Sequence, residues 1–184
     1  MDERMQFVTN EIGNLADDVR NSFGGLSAEQ LNWKSEEAVW SIAQCLDHLI
    51  KSNEAFQPEF DKLAAGERQN SFWENWSPFS GMLGRFLIKS LKDDSKKFKA
   101  PSKAIVPPVE LGGDIVRRFE ENIALVKKCL DGCADADREK TVMTSPFMSV
   151  MTYSLDDAYT MLIEHGKRHI RQAKRVTEAD SFPK

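Results

Sequence analysis

Met5, Val8, Ile12, Leu15, Val19 and Phe23 follow one another at steps of three or four residues, and this spacing dominates what the chain can become. A helix turns about 100° per residue, so such a series forms one apolar stripe, whereas a strand would scatter it over both faces. Three later series repeat the pattern: Ile42, Leu46, Leu49, Phe56, Phe60 and Leu63; Ile115 or Val116, Phe119, Ile123, Val126 and Leu130; and Leu155, Tyr159, Leu162, Gly166, His169, Ala173 and Val176. Helices with one apolar face bury it most simply against one another. The expected fold is therefore all-α, a four-helix bundle with a long crossover connection.

Local signals mark where the helices begin and end. Gly24 and Gly25 close the first. Ser27 and Gln30, flanked by Leu26 and Leu31, form a capping box with a hydrophobic staple and start a short helix. Trp40, Ser41 and Gln44 repeat the device before the second long helix, and Ser154 with Asp157 can cap the fourth. Pro58 predicts a kink or an early end to the second helix, because it lacks an N–H and crowds the carbonyl four residues back. Gly132 stands where a left-handed cap would close the third. Residues 66–113 are irregular, apart from an amphipathic piece at 82–91, and read as the crossover; TSPFMSVMTYS at 144–154 reads as another irregular link. No alternating strand, internal repeat or low-complexity tract is expected, and residues 1–184 read as a single domain.

At 184 residues and 41% hydrophobic, the chain can bury a core without staples. A formal charge of −4 argues against nucleic acid as a partner, since phosphate-backbone binders present a concentrated basic face. The one basic run, at 89–103, is interrupted by Asp93 and Asp94 and reads as a solvated surface. No segment has the length and apolarity of a membrane span, and the start MDERMQFVTNEIG lacks the pattern of a signal peptide. Three cysteines, Cys45, Cys129 and Cys133, make an odd count in a chain that does not need disulfides. A cytoplasmic protein acting on a small-molecule substrate is the expectation.

The three histidines carry the chemistry. His165 and His169 lie four apart, so both rings can face one point from the last helix. His48 lies about two turns into the second, to one side of its apolar stripe. If these helices run antiparallel, the three rings can converge. Two readings stand at this point: a histidine on an apolar face is commonly a hydrogen-bonded core residue, and the pair lacks the glutamate of a HExxH zinc motif.

The segments WSIAQCLDHL, KKFKAPSKAIVPP and SPFMSVMTYSLDDAYTMLIEHGKRHIRQAKRV together resemble the DinB-like superfamily of bacterial four-helix proteins, over nearly the whole chain. The carrying pattern is WSI-x4-DHL on one helix and H-x3-H-I-x-Q on the last, here Trp40 to Leu49 and His165 to Gln172. The resemblance implies that His48, His165 and His169 form a divalent-metal site between helices two and four. It also implies a family that includes thiol-dependent transferases and an isomerase, and whose members are often homodimers.

Three neutral imidazoles suit zinc, nickel or iron and would leave the ion open to a further ligand, either water or a low-molecular-weight thiol cosubstrate. The expected function is thus a metal-dependent hydrolase or thiol S-transferase, the alternative a noncatalytic metal- or ligand-binding bundle acting in stress response or assembly. Gln172 can orient a ring or lie on the surface, and Asn53 can serve a ligand or bond within the core. Asp47 and Glu164 adjoin ligand candidates in sequence but point away from them. Cys45, one turn before His48, is either a closing thiolate or a small buried residue. Cys129 and Cys133 have metal-like spacing, but Gly132 falls between them. Trp33, Trp40, Trp73 and Trp76 read as packing, with SFWENWSPF a candidate cover for a pocket.

Overall fold

Each of the four stripes lies on a helix in the computed structural model, which describes residues 2–67, 74, 80–93 and 103–184. Those residues contain six α-helices and one small sheet: α1 (Glu3–Phe23), α2 (Ala28–Asn32), α3 (Ile42–Ala64), α4 (Ser80–Lys92), α5 (Ile115–Gly132), β1 (Val142–Ser145), β2 (Met148–Ser154) and α6 (Leu155–Thr177). A 3-10 turn, Lys103–Ile105, lies between α4 and α5. The expected capping boxes close at Ser27/Gln30 and Ser41/Gln44, and Ser154 Oγ accepts the Asp157 N–H.

Helix α1 packs on α5 and α6, and α3 packs on the same two. Side-chain pairs give the directions. Arg4 with Asp156, Glu11 with Lys167 and Asp18 with Lys174 advance together, so α1 and α6 are parallel. Asp47 with Arg118, Asn53 with Asn122 and Phe60 with Cys133 show the same for α3 and α5. Between the pairs the sense reverses: His48 meets His165 while Phe60 meets Tyr159, so α3 and α6 are antiparallel. A chain leaving α3 must travel back about 35 Å before it can start a parallel α5, which is why a long connection is needed there. Phe23, Leu46, Ile115, Phe119 and Leu155 are buried in the core, each worth roughly 1.5–3 kcal/mol by transfer.

Three local expectations are corrected. Pro58 neither ends α3 nor shortens it: the proline and Glu54, whose carbonyl loses its partner, are both exposed, so water can take that bond. The helix runs on to Ala64 and is closed by Gly66, two residues beyond, which adopts φ 69° while its N–H and that of Glu67 bond the Leu63 and Lys62 carbonyls. Gly132 is the last residue of α5 and not a left-handed cap; a Cβ there would come within 3.1 Å of Ala64, so it allows the ends of α3 and α5 to approach.

The third correction concerns 144–154, where the expected irregular link is part of an antiparallel hairpin. Met143 faces Tyr153 and Thr144 faces Thr152, with a register shift between Thr144 and Ser145. A four-residue strand beside a proline carries too little alternation to stand out. Its partner then runs straight into α6, Ser154 ending the strand and capping the helix. The SFWENWSPF segment, with Trp73 and Trp76, lies outside the described residues except for Glu74, as does most of the basic run at 89–103.

Candidate metal centre

The Ser41 capping box sets where α3 begins, and His48 follows in its second turn, buried among the first residues of that helix. On α6, Gly166 separates the ligand candidates, and a Cβ there would come within 2.5 Å of Leu15. That missing side chain lets α1 close onto α6 beside the two rings. His48, His165 and His169 each offer a ring nitrogen, and these lie within 4.8 Å of one another. The ring centroids are 4.6 to 5.1 Å apart, each pair edge to face.

Hydrogen bonds aim two of the rings. His48 Nδ1 lies 2.8 Å from the Ile105 carbonyl, which can only accept, so the proton is on Nδ1 and Nε2 presents a lone pair. His169 Nδ1 donates to Gln172 Oε1 at 3.1 Å and leaves its Nε2 free in the same way. His48 Nε2 lies 3.2 Å from His165 Nε2. Two nitrogens bound tetrahedrally at about 2.0–2.1 Å would be roughly 3.3–3.4 Å apart, so the pair fits a first-row dication.

Burial lowers the pKa of all three rings. For His48 it outweighs the Ile105 bond and the nearby Asp47, both of which favour the proton. Burial takes His165 well below its ordinary value, reinforced by His169, His48 and Arg168. His169 is brought down to about 3 by burial, then by His48 and Arg168, against the Gln172 bond. His48 is buried, and His165 and His169 are half-buried. The rings are neutral at pH 7, the state in which imidazole ligates metal.

Neighbouring groups complete the surroundings. The Trp40 ring lies 4.9 Å from His48 and stacks on His169 at 5.8 Å, so it bounds the group instead of serving only as packing. The signal was in the staple: the residue before a cap folds over the first turns, towards Cys45, and His48 is one turn further on that face. Arg168, between the two histidines of α6, donates to the Ser90, Leu91 and Asp93 carbonyls and ties the end of α4 to the site. The sequence left the role of Arg168 open, and the Ile105 carbonyl was not singled out at all; a main-chain acceptor has no residue signature.

The other candidates lie apart from this group. Cys45 is wholly buried and its thiol is pushed up to about 12 by burial, so it stays protonated. Cys133 bonds the Phe60 carbonyl, and Cys129 faces Asp61. Asn53 donates to Asn122 at 2.7 Å, the core role, while Asp47 pairs with Lys51 and Glu164 with Lys92.

Fold and site together define a helical protein with an interhelical cluster of three histidines. The chain belongs to the DinB superfamily, whose model matches residues 13–173 and so takes in every residue of that cluster. Comparison with curated proteins and with solved structures finds no significant match.

Proposed function

We propose that the protein is a metal-dependent enzyme whose His48, His165 and His169 hold a zinc, nickel or iron dication. The observation that carries this reading is the aim of the rings: His48 and His169 spend Nδ1 on protein acceptors, and Nε2 of His48 meets Nε2 of His165 at 3.2 Å. Three neutral rings brought together, two of them with Nε2 lone pairs set by their Nδ1 bonds, are poorly explained by packing and suit a cation that displaces the proton shared between His48 and His165. Such an ion supplies Lewis acidity, lowering the pKa of water toward about 7 or taking up a small thiol as thiolate.

The chain's residues bind and orient. Gln172 and the Ile105 carbonyl hold protons away from the site, Trp40 excludes water from one side, and Arg168 keeps positive charge beside His165 and His169. That charge favours an anionic nucleophile or substrate. We read the reaction as hydrolysis or thiol S-transfer on a small molecule, in a cytoplasmic, single-domain four-helix bundle with a long crossover that works as a homodimer. No helix among the described residues is long and apolar enough to cross a membrane.

The test is metal content of protein purified without a histidine tag, followed by turnover on thiol-transfer and hydrolytic panels. About one ion per chain, lost in His48→Ala, His165→Ala and His169→Ala, with turnover that follows the ion, is expected. Stoichiometric metal with no turnover leaves the metal-binding module, and no metal in the parent protein ends both readings.

A further inference from the structure

Three side chains on one edge of α3 reach the same short piece of crossover backbone. Gln44 Nε2 donates to the Pro108 carbonyl at 2.9 Å, His48 Nδ1 to that of Ile105 at 2.8 Å, and Lys51 Nζ to that of Val106 at 3.4 Å. Positions 44, 48 and 51 are one row of the helix. The backbone they meet, Ile105-Val106-Pro107-Pro108, is short of donors because its prolines have no N–H, so pinning it requires donors from elsewhere. The Ile105 side chain is 4% exposed and anchors the same piece by burial. His48, the middle of the row, is also one of the three clustered rings.

We infer that Gln44 and Ile105 are positioning residues, holding the 105–108 backbone on α3 so that the Ile105 carbonyl keeps the His48 proton on Nδ1 and turns Nε2 toward His165 and His169. The claim about the ring stands on the hydrogen bonds alone; its consequence for affinity rests on the proposed metal-binding role. Without that acceptor His48 can carry its proton on Nε2, where the proton competes with an ion. Gln44 is bonded at both ends of its amide, which makes the inference separable from helix capping: Oε1 accepts the Ser41 N–H at 3.1 Å and Nε2 goes to Pro108. Gln44→Glu keeps an acceptor for Ser41 and sets a carboxylate against the Pro108 carbonyl.

The experiment reads the His48 tautomer by ¹⁵N NMR of the imidazole-labelled apoprotein, and Zn²⁺ affinity by competition with a chromophoric chelator. Gln44→Glu, Ile105→Ala and Ile105→Val are compared with the parent. The expected result is a single Nδ1–H tautomer in the parent and mixed tautomers in Gln44→Glu and Ile105→Ala. Zn²⁺ dissociation constants in those two should rise roughly 10- to 100-fold, and Ile105→Val should restore both readouts. If Ile105→Ala does not fold, Gln44→Glu decides. An unchanged tautomer in Gln44→Glu overturns the inference, as do mixed tautomers with unchanged Zn²⁺ affinity. A parent that binds no Zn²⁺ counts against the metal reading, and the tautomer comparison still decides whether the backbone positions the ring.

Discussion

The interface between α3 and α6 is made of rings at both ends, and the two ends are built for different purposes. At one, Phe60 packs on Tyr159 and Phe56, and Phe56 meets Phe147, with centroids 5.9 to 6.1 Å apart. At the other, about 18 Å along α3 by helix rise, the rings are His48, His165 and His169 beneath Trp40. The aromatic end gains from every apolar contact. The histidine end gives up ring solvation, visible as pKa values depressed in all three, and orders its polar atoms around a common point. Both ends share one core, since Ile42, Leu46 and Leu49 are as buried beside the histidines as Phe60 is at the aromatic end.

The largest effect that sharpens this contrast is expected at the aromatic end. Phe60→Ala removes a ring that is 2% exposed and should cost about 3–5 kcal/mol in denaturant unfolding, while Zn²⁺ affinity of the folded protein stays within a few-fold. A hundredfold loss of affinity in that variant would mean that the ends are not separable. The complementary change, His165→Ala, should weaken Zn²⁺ binding by at least about 100-fold, roughly 2.7 kcal/mol, and leave apoprotein stability nearly unchanged. Unfolding without altered metal binding would make His165 a core residue only.

Acid should reveal the histidine end more gently. A ring whose folded pKa is depressed favours folding above its unfolded value of about 6.5, and that contribution is lost as pH falls from there toward the folded value, about 3 for His169. Apoprotein stability should therefore fall progressively below pH 6.5, and His169→Gln should make that part of the curve shallower. Identical pH dependence in urea titrations of the two proteins would show that His169 is not held neutral. Metal should be lost in the same direction, because protons compete for the same nitrogens.

Two smaller effects test the polar atoms at each end. Gln172→Leu removes the acceptor that orients His169 and should raise the Zn²⁺ dissociation constant about tenfold, with little change in melting temperature. Tyr159→Phe deletes a buried hydroxyl that has no hydrogen-bond partner among the described residues. It should be neutral or stabilise by up to about 1 kcal/mol, whereas a clear loss of stability would reveal a partner for that oxygen.

The four long helices, and the caps at Ser41 and Ser154 that start two of them, were legible because each depends on residues within a few positions of one another. His48, His165 and His169 were legible as candidates for the same reason, together with the resemblance of their motifs. The short hairpin escaped because strand β1 is defined by its partner across the turn and not by four residues of its own. The early end allowed at Pro58 does not occur because the cost of an interior proline depends on whether water can reach the freed carbonyl, and exposure is a property of the folded protein.

What the sequence by itself determined is therefore local: helix faces, caps, the three histidines and the direction each can point along its own helix. Tertiary structure alone decided that α3 and α6 run antiparallel, that Trp40 covers the rings, and that the Ile105 carbonyl meets His48 across a separation of 57 residues. The physical reason is the range of the forces involved. Helix periodicity and capping act between near neighbours and leave a signature in residue order, whereas a ring nitrogen meeting a main-chain oxygen from a distant segment depends on packing, and a carbonyl is the same in every residue.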